Sequence, residues 1–279
     1  MAVKMKTKSA LSYFGSDSEV AGELAAMLSQ CNHVTIPFVG GAAILPHLDA
    51  RAIVCNDLNG LAINFYKVAS GLEGDQLELF ERCEKTLSHP SELEAAQHVI
   101  DDTTFPYGAD ETQLAWAYWA LCWIGRKGKG GTKHLGGMPS VRRTANGGTN
   151  ASRIRAAADD LREWAKHFER CEWESIDFRK LLPKVSDSRG CGVYCDPPWV
   201  GAGRDYQYTF KDEDHAALAS NLMRFSEATV VVRYGDHPTI RELYSNENWL
   251  IIDASSRTQT NEVKGEIWIT NQAVLTSAI

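Results

Sequence analysis

The seven residues Val193-Tyr194-Cys195-Asp196-Pro197-Pro198-Trp199 constrain the fold more than any other stretch of this chain. Pro198 fixes its own φ at about −65° and keeps Pro197 out of the helical region, so the backbone after Asp196 stays extended and stiff. The apolar run before it therefore reads as a strand that cannot turn straight into a helix and that presents its chemistry at its carboxyl edge. That rim carries a carboxylate, backbone carbonyls and the flat indole of Trp199. A carboxylate and a carbonyl each accept one N–H, and an indole stacks on a base at about 1–3 kcal/mol, which suits a planar base bearing an amino group. The plainer alternative is a strand-end turn with a structural acid.

Strand-sized apolar runs recur at His33-Val34-Thr35-Ile36, Ala52-Ile53-Val54-Cys55, Ala228 to Tyr234, Leu250-Ile251-Ile252 and Glu266 to Thr270. The first leads into Pro37-Phe38-Val39-Gly40-Gly41-Ala42-Ala43-Ile44 and an apolar helical run to Leu48. Strand, glycine turn and helix is the order of a nucleotide-binding loop, in which glycine lets the backbone pass close to a ligand; a simple tight turn is the alternative. The second run ends in Asn56-Asp57-Leu58-Asn59. An acid there is placed to bind both hydroxyls of a ribose, or to cap the helix that follows. Helical patterns fall at Leu61 to Val68, Asp75 to Lys85, Ser91 to Val99, Gln113 to Ile124, Ser152 to Cys171, Asp212 to Phe225 and Ile240 to Tyr244. Another runs within residues 9–30, with Val20, Leu24, Met27 and Leu28 on one face, Ser16 or Ser18 as N-cap, and Tyr13 and Gly15 in the preceding turn.

Four separated segments together resemble one family. Tyr13-Phe14-Gly15-Ser16, Pro37 through Ala42, Asn56 through Asn59 with Asn64-Phe65-Tyr66, and Asp196-Pro197-Pro198-Trp199 occur in the order seen in Dam-type, alpha-group DNA adenine-N6 methyltransferases. Ser175-Ile176-Asp177-Phe178 and Gly265 through Asn271 extend the likeness, which covers residues 9–70 and 171–272. The resemblance implies an α/β fold with a Rossmann-like, S-adenosylmethionine-dependent methyltransferase sheet in residues 1–70 and 171–279. Residues 71–170 would be an inserted, mainly helical and loop-rich DNA-recognition domain. It implies that Tyr13, Phe14, Gly15, Phe38, Gly40 and Gly41 line the S-adenosylmethionine pocket, that Asp57 holds the ribose, and that Asp177 with Phe178 meets the cofactor's adenine. Asp196, Pro197, Pro198 and Trp199 would be the catalytic rim that holds the target base. Read without the family, Asp177 is a loop acid. Two positions depart from the pattern. Ala42 stands where the family has a third glycine, and Asp17 stands where it has the lysine of an opening G-x-K turn.

The middle of the chain breaks the strand-helix alternation. The pattern at Gln113 to Ile124 carries Trp116, Tyr118, Trp119 and Trp123, and the glycine-rich stretches Gly125 to Gly131 and Val141 to Gly148 follow it. From Arg126 to Arg155 there are eight Lys or Arg and no Asp or Glu, so this stretch carries +8 and the rest −15 in a chain of net charge −7. So much glycine argues for loops that become ordered on a polyanion. A solvated linker seldom combines uniform positive charge with flanking aromatics, and the combination favours a DNA-binding insertion. Arg142, Arg143 and Asn146 suit base edges, since Arg matches guanine and Asn adenine bidentately. Lys127, Lys129 and Lys133 suit phosphates, and Arg126 belongs to the same DNA-binding set.

No apolar run approaches the roughly 18 residues of a membrane span, and the start lacks the apolar centre of a secretion signal. A cytoplasmic protein with no membrane partner is expected. The seven cysteines are odd in number, scattered and without a C-x-x-C pair, which reads as reduced thiols with neither disulfides nor zinc. His215 and His237 lie at no metal spacing and read as surface or capping residues; no metal is expected. The oligomer expected is a monomer or a weak dimer.

The reaction expected is site-specific methyl transfer from S-adenosylmethionine to the N6 amine of adenine in double-stranded DNA, of the kind used in restriction-modification, with the base flipped out of the stack. The alternatives are an RNA or single-strand adenine methyltransferase, transfer of a different group suggested by Asp17, and a non-catalytic DNA-binding protein on the same scaffold.

Overall fold

Val230, Val231 and Val232 are each fully buried, as are Val193, Tyr194 and Cys195. Such unbroken apolar runs need cover on both faces, the condition of parallel strands inside an α/β sheet. The computed structural model describes residues 5–16, 18–101, 110–125, 130–132, 148–201, 207–257 and 263–271. Its strands are β1 (His33–Ile36), β2 (Ala52–Asn56), β3 (Cys171–Glu174), β4 (Cys191–Cys195), β5 (Thr229–Gly235), β6 (Trp249–Arg257) and β7 (Val263–Asn271). Its helices are α1 (Ala21–Ala26), α2 (Gly60–Ala69), α3 (Gln76–Lys85), α4 (Pro90–Asp101), α5 (Glu111–Ile124), α6 (Asn150–Phe168), α7 (Phe178–Leu181), α8 (Asp212–Leu222) and α9 (Pro238–Leu243). No helix among the described residues is long and apolar enough to cross a membrane.

The seven strands form a sheet in the order β3-β2-β1-β4-β5-β7-β6. The pairs β1·β2, β1·β4 and β4·β5 are parallel, while β7 runs antiparallel to both β5 and β6. From β1 the chain moves outward to β2 and later returns to β4 on the other side. The strand order therefore reverses between β1 and β4, and in open α/β sheets ligands bind outside the carboxyl ends at such a point. This is the Rossmann-like α/β architecture that the sequence implied.

By its contacts the chain divides into two compact units. One comprises Val20–Val39, His47–Leu58 and Glu174–Ile279. Its core packs Leu218, Ala219 and Leu222 of α8 with Val193 and Cys195 of β4 and Val230, Val232 and Tyr234 of β5. Asp187 clips the entry to β5: its carboxylate accepts from the amides of Ser226, Glu227 and Ala228 at 3.0, 2.8 and 2.8 Å. The other unit comprises Met1–Glu19, Gly40–Pro46 and Asn59–Trp173. It is built around α5, buried all the way round from Leu114 to Ile124. A helix apolar on every side is a central core helix, so Trp116, Tyr118, Trp119 and Trp123 are core residues and not a nucleic-acid surface. Tyr66 of α2 stacks on Trp173 at 4.6 Å in the same unit. All seven cysteines are free thiols.

The expected strands all form, and three local expectations change. The helix expected within residues 9–30 is only α1, with neither Ser16 nor Ser18 as its cap. The helical run to Leu48 is a single 3-10 turn, Leu45–His47, because Pro46 cannot supply an N–H to a longer ladder. The helix expected to reach Cys171 stops at Phe168 and is followed by β3, whose Cys171 and Trp173 point inward. Ala42 adopts φ +60°, in the left-handed region.

That conformation costs a non-glycine residue about 1–2 kcal/mol, whereas glycine's extra chain entropy costs about 0.5–1 kcal/mol. Ala42→Gly should therefore raise the thermal midpoint by about 1–4 °C; a lower midpoint would contradict the strain. Burial pushes the Asp187 carboxyl up, but the amides of Ala228, Ser226 and Glu227 outweigh it and draw its pKa from 3.8 to about 2. The resulting stability is full above pH 3.8 and is lost as the pH falls through about 2. Acid titration should show Asp187→Asn losing this part of the pH dependence; an unchanged acid transition would exclude it.

Candidate active site

Alternation along β5 puts Val230, Val232 and Tyr234 into the α8 core and turns Arg233 and Gly235 to the opposite face. Cys195 pairs with Val232, so Asp196, the next residue after β4, meets Arg233 at the sheet's carboxyl edge. Across the other side Arg233 pairs with Trp268 and Gly235 with Glu266, which brings Glu266 onto the same face. The Arg233 side chain is 7% exposed and Glu266 0%. Its guanidinium grips Glu266 with two parallel bonds, Nε to Oε1 and Nη2 to Oε2, both 2.9 Å. Its remaining arm, Nη1, donates to Asp196 Oδ2 at 3.0 Å. Burial alone would lower the arginine's pKa, but Asp196 and Glu266 raise it above its usual value. Trp268 Nε1 donates a further bond to Glu266, at 2.8 Å.

Trp199 completes the rim. Its Nε1 donates to Asp196 Oδ1 at 3.4 Å, and the Arg233 guanidinium lies 4.8 Å from its ring centre, a cation–π distance. A Cβ on Gly235 would come within 2.6 Å of Trp199 Cε3, so only glycine lets the indole lie this close to β5. The motif's acid and aromatic are thus fixed together by groups from β5 and β7. Sequence reasoning did not identify Arg233, Glu266 or Gly235. The available signal was a lone arginine in the valine run Val230-Val231-Val232-Arg233 and an acid in the apolar strand Glu266-Ile267-Trp268-Ile269, since charges buried in a strand need partners.

The ends of β1 and β2 are joined by Asn56, another residue whose role was missed. It is 1% exposed. Its Nδ2 donates to the carbonyls of Pro37 and Ile176 at 2.9 and 3.0 Å, and its Oδ1 accepts from the Ile176 amide at 2.9 Å. This fixes the loop of Phe38 to the loop of Asp177 and Phe178, and the rings of Phe38 and Phe178 sit 5.6 Å apart. Phe210 closes the trio at 5.8 Å from each. Asp177 caps α7 through the Arg179 amide and pairs with the Arg179 side chain, so its structural role as a loop acid is filled. Asp57 follows Asn56 at the end of β2 and is half-buried; the cap of α2 is Asn59.

His215 is buried at 1% exposure, with Nδ1 2.9 Å from the Tyr234 hydroxyl, and burial lowers its pKa. It is a core histidine, contrary to the surface role expected, while His237 does cap α9. In the other unit, Tyr13 lies against the glycine loop: a Cβ on Gly40 would meet its Cδ1 at 3.4 Å, and one on Gly41 its Cβ at 3.1 Å. Tyr66 Oη donates to the Gly40 carbonyl at 2.6 Å. Phe14 and Gly15 follow in the same turn, with Phe14 exposed. Asp17, Arg126, Lys127, Lys129, Lys133, Arg142, Arg143 and Asn146 lie outside the described residues.

A family model described as D12 class N6 adenine-specific DNA methyltransferase matches residues 13–258. No curated protein matches the chain. Among solved structures, magnesium protoporphyrin IX methyltransferase from Synechocystis PCC 6803 with bound SAM is 10% identical, covers 91% of this chain and 76% of its own, and gives a TM-score of 0.36. Cofactor-bound Rv0187 from MTB is 8% identical, with 94% and 84% covered and a TM-score of 0.39.

Removing the guanidinium would strand Glu266 as an uncompensated buried charge, a change that costs about 3–5 kcal/mol. Arg233→Met should therefore unfold at clearly lower denaturant than wild type, and Arg233→Lys, which keeps the charge but loses the fork, should lie between them. A wild-type midpoint for Arg233→Met would mean the pair contributes nothing.

Proposed function

The chain belongs to the D12 class of N6 adenine-specific DNA methyltransferases, enzymes that use S-adenosylmethionine, and from that premise we propose that it acts on duplex DNA by flipping the adenine onto the Asp196–Trp199 rim. The observation that carries this reading is the Asp196 carboxylate at the end of β4, beside the switch point and gripped by Arg233. Adenine's exocyclic amine is a poor nucleophile because its lone pair is delocalised into the ring. Asp196 and the Pro197 carbonyl each accept one of its N–H bonds, which favours a more tetrahedral nitrogen and aims the lone pair out of the ring plane. Arg233 holds Asp196 in that position.

One guanidinium shared between two carboxylates leaves the cluster a formal charge of −1. That charge opposes the positive charge the nitrogen gains on alkylation, a fixed electrostatic stabilisation of the kind that supplies much of enzymic rate enhancement. Asp196 thus acts as an acceptor, with no prior proton removal required. Trp199 replaces the stacking lost when the base leaves the duplex.

The residues fit S-adenosylmethionine in their chemistry: carboxylates at the ends of strands, and the Phe38–Phe178 ring pair held by Asn56. Asp57 would hold the ribose hydroxyls, and Phe38, Asp177 and Phe178 the cofactor's adenine. Tyr13, Phe14, Gly15, Gly40 and Gly41 keep the cofactor role that the family likeness gives them. When bound, the cofactor supplies a methyl group activated by its sulfonium. Residues 71–170 serve target recognition, with Arg142, Arg143 and Asn146 at base edges and Arg126, Lys127, Lys129 and Lys133 on the backbone. The enzyme acts in the cytoplasm as a monomer or weak dimer.

Incubation with methyl-labelled cofactor and, in parallel, duplex DNA, single strands and RNA, followed by nucleoside mass analysis, should give N6-methyldeoxyadenosine from the duplex. Asp196→Ala should lower turnover by about 100-fold or more while leaving cofactor binding largely intact. Normal turnover in that variant would remove Asp196 from the mechanism, and modification of RNA alone would overturn the duplex substrate.

A further inference from the structure

Within the glycine-rich stretch after α5, Gly130 and Gly131 are seated on the turn that carries Tyr13. Phe14 N donates to the Gly130 carbonyl and Gly130 N to the Ser12 carbonyl, both at 3.2 Å, a two-bond β-bridge. Gly131 N donates to Tyr118 Oη at 3.2 Å, and the same oxygen accepts from Asn59 Nδ2 at 2.7 Å. Neither glycine can be replaced without displacing the tyrosine. A Cβ on Gly130 would lie 2.9 Å from Tyr13 Cδ2, and one on Gly131, where φ is +77°, would lie 2.4 Å from Tyr13 Cζ. With Gly40 and Gly41 also packed on it, the Tyr13 side chain occupies a slot made by glycines of two distant segments.

A second tie comes from the far end of the basic stretch. Arg153 Nη2 donates to Ser12 Oγ at 3.1 Å, and its guanidinium lies 5.7 Å from the Trp123 ring centre. Trp123 Nε1 in turn donates to the Ala10 carbonyl at 3.1 Å. The basic residues Lys133, Arg142 and Arg143 thus lie in sequence between two anchors, Gly130–Gly131 and Arg153, and both anchors grip Ser12–Phe14. The geometry points to the Gly130–Gly131 turn as a positioning joint, through which a duplex bound by the flanking basic residues tightens cofactor binding at Tyr13. This inference rests on the cofactor role given above to Tyr13. A turn that packs on Tyr13 from Gly130 and Gly131 couples the two ligands: duplex contacts beside the turn hold it against Tyr13, and less freedom is left to be lost when the cofactor binds.

The test is calorimetric affinity for S-adenosylhomocysteine, an unreactive cofactor probe, with and without sheared duplex DNA of mixed sequence. In the wild type the duplex should tighten the probe by about 5-fold or more, within the usual range of such couplings. Gly131→Ala should weaken the probe and abolish the DNA effect while leaving duplex affinity without the probe unchanged. Tyr118→Phe, which deletes the acceptor shared by Gly131 N and Asn59 Nδ2 and places no atom against Tyr13, should reduce the DNA effect while leaving duplex affinity without the probe unchanged. That variant keeps the test decisive if Gly131→Ala fails to fold. Absence of any DNA effect in the wild type, or a full effect in Tyr118→Phe, would overturn the joint. Tyr13→Ala separates the two readings. Unchanged probe affinity there would end the cofactor role of Tyr13 and the joint with it, whereas weakened affinity beside a full DNA effect in Tyr118→Phe would end the joint alone.

Discussion

A guanidinium buried between two carboxylates fixes the end of β4, and the placement of the Asp196–Trp199 rim depends on it. An arginine 7% exposed is tolerated only when every charge around it is satisfied. Arg233 meets that condition with its fork on Glu266 and its third arm on Asp196. Those bonds leave Asp196 little rotational freedom, and they exist because three neighbouring strands place the partners in register. The stiff Asp196-Pro197-Pro198 backbone and the buried ion pair are therefore two halves of one device. One stops the chain from moving and the other stops the side chain.

The same division of labour appears at the next strand ends. Asn56 spends its amide on Pro37 and Ile176, so the loops bearing Phe38 and Phe178 are tied by hydrogen bonds that ring contacts alone could not direct. In the helical unit, the all-round burial of α5 gives Tyr118 and Trp123 fixed positions from which they bond Gly131 and the Ala10 carbonyl. Aromatic residues that looked like a recognition surface act instead as a frame for the turn carrying Tyr13.

Much of the sheet was legible because its signals are local: β-branched runs for β1, β2 and β5, and for β4 a short apolar run followed by the proline chemistry after Asp196. The rim's acid and aromatic were legible for the same reason. What escaped was non-local. Nothing near Arg233 in the chain reveals Glu266, 33 positions away, although an arginine ending a valine run already asks for a buried partner. His215 sits amid acids on a helix whose polarity suggests solvent, and only the packing of α8 on β5 buries it beside Tyr234. The strand β3 was hidden because two of its four residues are acidic. Gly130 and Gly131 read as part of a loose run because a glycine required for close approach looks the same in sequence as one that supplies freedom.

The most direct measurement is a double-mutant cycle between Asp196 and Arg233, read in the single-turnover rate of methyl transfer with Asp196→Asn and Arg233→Lys. If Arg233 acts by holding Asp196, the loss caused by Arg233→Lys should largely disappear once Asp196 is already replaced, leaving a coupling close to the single-mutant loss. Losses that multiply independently would contradict the account, because the two side chains would then contribute to the reaction by separate routes.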